Sequence, residues 1–452
     1  MAISGARLSI EIDIGTECRI VAEDDQGNTV PAHSELSQVR LQEMKDALRD
    51  DLEEFRTKLA TVTQWRIGNA GEALLKLQKR GRLILNELFQ GQTAELGKIM
   101  QMCRDACPTW SRPDWKEDGL RPPIVVVRAK LALGLPIEML PLFEWETVGR
   151  INNKDDLARL AGSFLGFSAI VKRDIRVPIP PTLLLNNNPT GTAESETKPR
   201  LPMKMFSFRM AGARQEQRFF SGHTNIDFGQ TWPSTDAPAE GDGFAQALAE
   251  QLWHPERGIA GALRNPPDQI FHFSCHCDTR AERSGQHTLT LNTGGFMSGI
   301  LGRGNRKVDL ESLTDRLTLL RHRDQQNPRT RPLIFLSACG SAHLDPAGAS
   351  SFPEMFLKNE FGFLGFIGTE ATIPDHFASV FSAAFYGYLL EGAEIGQAIH
   401  LARWKLLNEH RNPLGILYSL YAEPEIRLDR RPSPNQPVGL ASQTPARTPR
   451  TV

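Results

Sequence analysis

Leu8, Ile10, Ile12 and Ile14 alternate with polar residues, the period of a half-buried strand. The turn cluster Asp24-Asp25-Gln26-Gly27-Asn28 separates this region from Thr29-Val30, so the chain opens on a predicted hairpin. The period then changes. Leu41, Met44, Leu48, Leu52, Phe55 and Leu59 recur at steps of three and four and predict one amphipathic helix. Leu74, Leu77, Ile84 and Leu88 predict a second over about Ala70–Leu88. Such a helix pair is expected to pack or dock rather than to carry chemistry.

Pro122 to Val127 returns to a buried-strand pattern, and the compact apolar and acidic stretch Leu135–Glu146 follows. Beyond it, strands alternate with helices. Strands are expected at Met203–Met210, Gln269–Ser274, Thr288–Leu291, Pro332–Ser337 and Phe361–Gly368. Helices are expected at Phe244–Trp253, Leu310–Leu320, Phe377–Leu390 and Glu394–Asn408. This order predicts an α/β fold, a mostly parallel sheet flanked by helices, with an N-terminal β-hairpin and helical region. The organisation expected is a hairpin and helical region over 1–120, a strand and helix segment over 121–185, a Pro- and Asn-rich linker over 186–202, a core over 203–429 and a disordered tail over 430–452. No internal repeat of solenoid length is evident.

Composition narrows the function classes. Lys plus Arg is 52 against 53 Asp plus Glu, a formal net charge of -1 in 452 residues. So even a balance gives no electrostatic footprint for nucleic acid or an acidic membrane. No apolar run approaches the roughly 20 residues of a membrane span, and Met1–Arg7 lacks the basic start and apolar run of a secretory leader. A cytoplasmic location is therefore expected. Six cysteines are too few for a disulfide scaffold and should persist as thiols, each a core residue, a metal ligand or a nucleophile.

In open sheets of this type, functional groups collect beyond the carboxyl ends of strands. The strand from Gln269 runs into Cys275-His276-Cys277-Asp278, and the strand from Pro332 into Ala338-Cys339-Gly340-Ser341. If these strands are neighbours, His276 comes within reach of Cys339. A free thiol has a pKa near 8.5 and needs a base or a cation to become a nucleophile at neutral pH. His276 meets that need. The amides of Cys339 and Cys277 are candidates for the two donors that a tetrahedral oxyanion requires. A lone cysteine or histidine in such a place is usually a packed core residue, so the pairing carries the argument.

Phe271-His272-Phe273-Ser274-Cys275-His276, followed by Leu336-Ser337-Ala338-Cys339-Gly340-Ser341, resembles the CHAT family of caspase-like cysteine peptidases, in the clan of caspases, separase and gingipains. The resemblance extends to Phe361–Glu370, Ile373-Pro374-Asp375, Phe385–Gly392 and Ala398–Leu407, and upstream to Gly81–Phe89 and Pro136–Trp145. It implies a caspase-like core and a cysteine endopeptidase with His276 as catalytic histidine, Cys339 as nucleophile and no cofactor. His272, inside the strand, corresponds to no catalytic position. The resemblance further implies a protein substrate, a possible regulatory partner and a role in bacterial defence or cell death, for example cleavage of a gasdermin-like pore former. Asp278, Glu370 and Asp375 become candidates for reading a basic substrate side chain, against the plainer reading of solvated loop acids. Two positions depart from the family pattern, Cys277 in place of the usual glycine and Gly340 after the nucleophile.

Two alternatives stand beside this reading. The Cys277 departure fits a scaffold that binds partners without cleaving them. Cys275-His276-Cys277, with His272 or His287, offers zinc donors for a hydrolase. Adjacent strand residues point to opposite faces, however, and the usual ligand spacings are absent, so no metal is expected.

Overall fold

The computed structural model describes residues 7–14, 18–59, 66–106, 122–129, 135–143, 151–175, 201–207, 211–233, 242–255, 268–278, 287–292, 305–324, 331–338, 341–342, 351–357 and 361–427. The expected linker up to Arg200, the expected tail, Cys107 and Cys339 lie outside them.

The N-terminal part is built from β1 (Arg7–Ile14), β2 (Cys18–Asp24), β3 (Thr29–Ser34), α1 (Gln38–Leu59), α2 (Ile67–Phe89), α3 (Thr93–Ala106) and β4 (Ile124–Ala129). A 3-10 turn at Ile137–Met139 leads to α4 (Lys154–Gly162), α5 (Leu165–Ser168) and β5 (Ile170–Ile175). The rest comprises β6 (Leu201–Ser207), α6 (Ala211–Gly222), β7 (Ile226–Trp232), α7 (Asp242–Trp253), β8 (Ile270–Ser274), β9 (His276–Asp278), β10 (Thr288–Asn292) and β11 (Asn305–Asp309). It continues through α8 (Leu310–Arg323), β12 (Arg331–Ser337), α9 (Phe352–Leu357), β13 (Phe363–Thr369), α10 (Asp375–Leu390), α11 (Ile395–His410) and β14 (Tyr418–Ala422).

Eleven strands form one sheet in the order β3-β2-β1-β4-β5-β14-β13-β12-β8-β6-β7, and β11-β10-β9 form a small second sheet. The large sheet is α/β in character. Its β7-β6-β8-β12-β13 block is wholly parallel, as is β1-β4-β5. The predicted hairpin is a three-stranded antiparallel meander, because β3 also pairs with β2. β14 joins the two parts. It lies parallel to β5 and antiparallel to β13.

Burial follows from this order. Every residue of β6, β8 and β14 is buried, as expected for strands covered on both faces. Alternate residues feed two cores. Ile270, Leu333 and Phe335 join the core shared with α10 and α11, whereas Phe271, Phe273, Ile334 and Leu336 join the core under α7, α8 and α9. The predicted stripes hold too: Leu41, Met44, Leu48, Leu52 and Phe55 of α1 and Leu74, Leu77, Ile84 and Leu88 of α2 are all buried. α8 starts where Asp309 accepts a bond from the Ser312 amide at 2.7 Å.

Two glycines permit close approaches that hold the parts together. A Cβ at Gly365 in β13 would meet Ala422 Cβ of β14 at 2.2 Å. At Gly81 in α2 it would meet Pro141 Cδ at 2.5 Å and the Met139 carbonyl oxygen at 3.0 Å. α2 therefore sits directly on the turn that carries Glu138. Among the described residues no helix is long and apolar enough to cross a membrane.

Candidate active site

β8 and β12 are parallel neighbours, with Ser274 opposite Ser337 at their carboxyl ends. Hydrophobicity fixes this placement, since residues 270–274 and 332–337 are all buried and fit only the middle of the sheet. Past Ser274 the chain turns out of the large sheet. His276 opens β9, opposite Thr290 of β10, while Cys277 faces Leu289 and Asp278 faces Thr288. His276 is exposed; Cys275 and Cys277 on either side of it are buried. One-in-one-out alternation thus anchors two sulfurs in the core and presents the imidazole.

His276 and Asp375 feel each other's charge. Desolvation lowers the His276 pKa from its ordinary value, and Asp375 opposes the shift. Burial raises the Asp375 pKa, with His276 pulling it down and Glu216 pushing it up. Asp375 is the first residue of α10, after Pro374, where the helix dipole favours an anion. The structure thus brings His276 and Asp375 together from two distant stretches of chain.

Beneath them lies a buried network that the sequence did not announce. Glu216 of α6 accepts a bond from Ser382 Oγ at 2.7 Å, and its second oxygen is 3.3 Å from His272 Nε2. His272 Nδ1 lies 2.9 Å from the Tyr386 hydroxyl. Burial works to raise the Glu216 pKa, but His272 and the Ser274 and Ser382 hydroxyls outweigh it, so the carboxyl is held below its usual range. His272 is therefore a packed, bonded residue of the strand, as its place in β8 suggests. Nothing in the local pattern of α6 marks Glu216, because its partners come from β8 and α10.

The two residues Cys339 and Gly340 are outside the described set, but both flanks are fixed. The Ser341 amide donates to the Ala338 carbonyl at 3.2 Å, and Ser341 Oγ donates to the Leu336 carbonyl at 2.9 Å. The Thr369 amide donates to Ser341 Oγ at 3.0 Å, and the Thr369 hydroxyl donates to the Ala338 carbonyl. Short polar residues on β13 and after β12 thus stitch the described chain on either side of Cys339 and Gly340 to the sheet. Ser341 stood in the motif as read; its bonding role depends on the β12–β13 pairing.

Glu370 corrects an expectation. It was a candidate for reading the substrate, yet its side chain is only 2% exposed and lies 3.0 Å from Arg173 Nη1. It also accepts a bond from Ser419 Oγ at 2.6 Å. Its carboxyl is committed inside the sheet, so substrate has no access to it. Burial raises its pKa to about 7, with Arg173 pulling it down and Glu138 pushing it up. The folded state therefore binds a proton between the usual carboxylate value near 4.3 and about 7 that the unfolded chain releases. The stability this group contributes is full below that window and is lost as pH rises through it. Glu370→Gln should flatten that loss. Its urea midpoint relative to wild type should rise from pH 5 to pH 8; a constant difference across this range would count against the shift.

Among the described residues no group of three His, Cys, Asp or Glu side chains could hold a metal ion. His287, one of the donors considered for zinc, packs edge-on against Phe352.

The CHAT domain family profile matches residues 173–438, more than half of the chain. A "Probable protease" of Vitiosangium sp. (strain GDMCC 1.1324) is 28% identical over 167 residues, 37% of this chain and 20% of that protein. The chain thus spans only a small part of that curated relative. The Saccharomyces cerevisiae separase–securin complex matches with a TM-score of 0.42 at 11% identity, covering 92% of this chain and 30% of that one. A second solved structure, titled only "Structure of Protease", has a TM-score of 0.38 at 8% identity over 74% of this chain and 69% of that one. The profile match begins in β5 and takes in β8, β12, β13 and β14, and on that match the chain belongs to the CHAT domain family.

Proposed function

We propose that this chain is a caspase-like cysteine endopeptidase that performs limited proteolysis. The observation that carries the reading is the parallel pairing of β8 with β12, with Ser274 opposite Ser337. His276 follows the first and Cys339 the second, each two positions on in sequence. Membership in the CHAT family and the similarity to a probable protease support it.

In this reading His276 takes the Cys339 proton, and the thiolate attacks the scissile carbonyl carbon. The amides of Cys339 and Cys277 stabilise the oxyanion. Collapse breaks the C–N bond, the imidazolium gives its proton to the leaving amine, and a thioester remains. Water, deprotonated by His276, then releases the acid and the thiol. Asp375 supplies negative charge for a basic residue on the acyl side of the cleaved bond, with Asp278 as a second such acid. Glu370 has no part in it. The substrate is a protein partner, such as a pore-forming effector of a bacterial defence or cell-death system, cut in the cytosol. The near-neutral surface suits a ligand that is another protein.

The test is covalent. A peptide chloromethylketone with arginine at the reactive end should label Cys339 stoichiometrically, and His276→Ala should abolish the labelling. If Cys339 reacts no faster than an ordinary thiol, the peptidase reading fails.

A further inference from the structure

Ala342, three positions after Cys339, connects to a buried charge cluster more than a strand away. The Ala342 amide donates to the Thr369 carbonyl at 2.9 Å, and the Ala342 carbonyl accepts from the Tyr421 hydroxyl at 3.1 Å. That hydroxyl in turn accepts from Arg173 Nη1 at 3.1 Å. The same Nη1 faces Glu370, which directly follows Thr369. The other side of the guanidinium, Nε and Nη2, takes the Glu138 carboxylate. All these side chains are buried.

The cluster spans the join between the two parts of the sheet. Glu138 lies on the 3-10 turn, Arg173 on β5, Tyr421 on β14 and Glu370 directly after β13. α2 presses on the turn through Gly81, so the placement of the helical region fixes the placement of Glu138. Only a forked, planar donor reaches three partners in three directions at once. A lysine ammonium on the same stem is a single point.

We infer that Arg173 is a positioning residue for Ser341 and Ala342, the described residues that follow Cys339 in sequence. It transmits the seating of the N-terminal helical region through Tyr421 to Ala342 and through Glu370 to Thr369. The inference rests on the peptidase reading for its catalytic consequence, though not for its geometry. A partner that shifts α2 would act on Cys339 along this path.

The variant that isolates it is Tyr421→Phe in the full chain, which deletes one hydroxyl and leaves both carboxylates on Arg173. The control is Ser163→Ala, which deletes another buried hydroxyl, bonded to Gln78 at 2.9 Å and to the Leu160 carbonyl. At a temperature where both are folded, Tyr421→Phe should slow alkylation of Cys339 by iodoacetamide, read by mass spectrometry of its peptide. A loss on the order of tenfold is expected, since small displacements of a reacting group cost that much or more. It should lower kcat on a cleaved peptide without raising KM, and speed hydrogen exchange over residues 337–342. Arg173→Lys should behave in the same way. Ser163→Ala should change none of these. If Tyr421→Phe matches Ser163→Ala in all three readouts, the inference is wrong. If wild-type Cys339 is an ordinary thiol, the peptidase reading falls, and the hydrogen-exchange comparison alone decides the structural path.

Discussion

His276→Ala should lower kcat/KM for peptide cleavage by at least about 10³-fold, because in the proposed mechanism it removes the proton acceptor of both chemical steps. The pH profile carries more information than the loss itself. Desolvation lowers the His276 pKa against the field of Asp375. The neutral base should therefore persist below the ordinary histidine value near 6.5, and the acidic limb of kcat/KM should lie below it. Asp375→Asn removes the charge that favours the imidazolium, so the limb should move further down. If Asp375 also reads a basic substrate residue, KM for that substrate should rise in the same variant while KM for a neutral analogue stays put. A limb above 6.5, or an upward move in Asp375→Asn, would contradict this electrostatic arrangement.

Arg173→Met should cost about 3–5 kcal/mol of stability, the usual result of removing one partner of a buried ion pair, here the guanidinium that holds Glu138. Two carboxylates, Glu138 and Glu370, would lose the guanidinium between them. Urea unfolding at pH 7 measures the loss. The companion variant is the triple change Glu138→Leu, Arg173→Met and Glu370→Leu, which exchanges the cluster for apolar volume. Much of the lost stability should return, since a buried ionic cluster repays little more than its own desolvation. The triple variant should still be a poor enzyme, because Tyr421 would have lost the donor that orients its hydroxyl. Stability and loop geometry would then be separated in one comparison.

Sequence periodicity located the strands that matter. β8 and β12 are apolar runs of the length buried strands require, and the structure makes them neighbours. α1 and α2 carry clean stripes and were equally legible. Other elements were not. β9, three residues long, has no period to read, though it carries His276. β14 was invisible as a strand because its five residues are buried on every side and follow a short 3-10 turn. Leu201 and Pro202 read as linker because of the prolines around them; in the structure they begin β6, where a proline at a strand start costs little. The site shows the same division. His276 was visible as a chemistry-bearing residue past a strand end, and Asp375 was singled out only through the family resemblance, as a candidate acid for the substrate. Glu216, Arg173 and Tyr421 were not, since each acquires its role from partners 35 to 248 positions away. Glu370 misled for the converse reason: a carboxylate just past a strand reads as a surface acid until its buried counter-ion is known.

The position of β14 has a consequence for the order in which the protein can be completed on the ribosome. β5 and β13 are both synthesised before β14, and each pairs with it. Until residues 418–422 emerge, the two halves present facing edges with no strand between them, the kind of exposure that invites wrong pairing and chaperone capture. The hydroxyl that braces Ala342 arrives with the same strand. A nascent chain stopped before Tyr418 therefore lacks both the seam of its sheet and the brace on the carbonyl of Ala342.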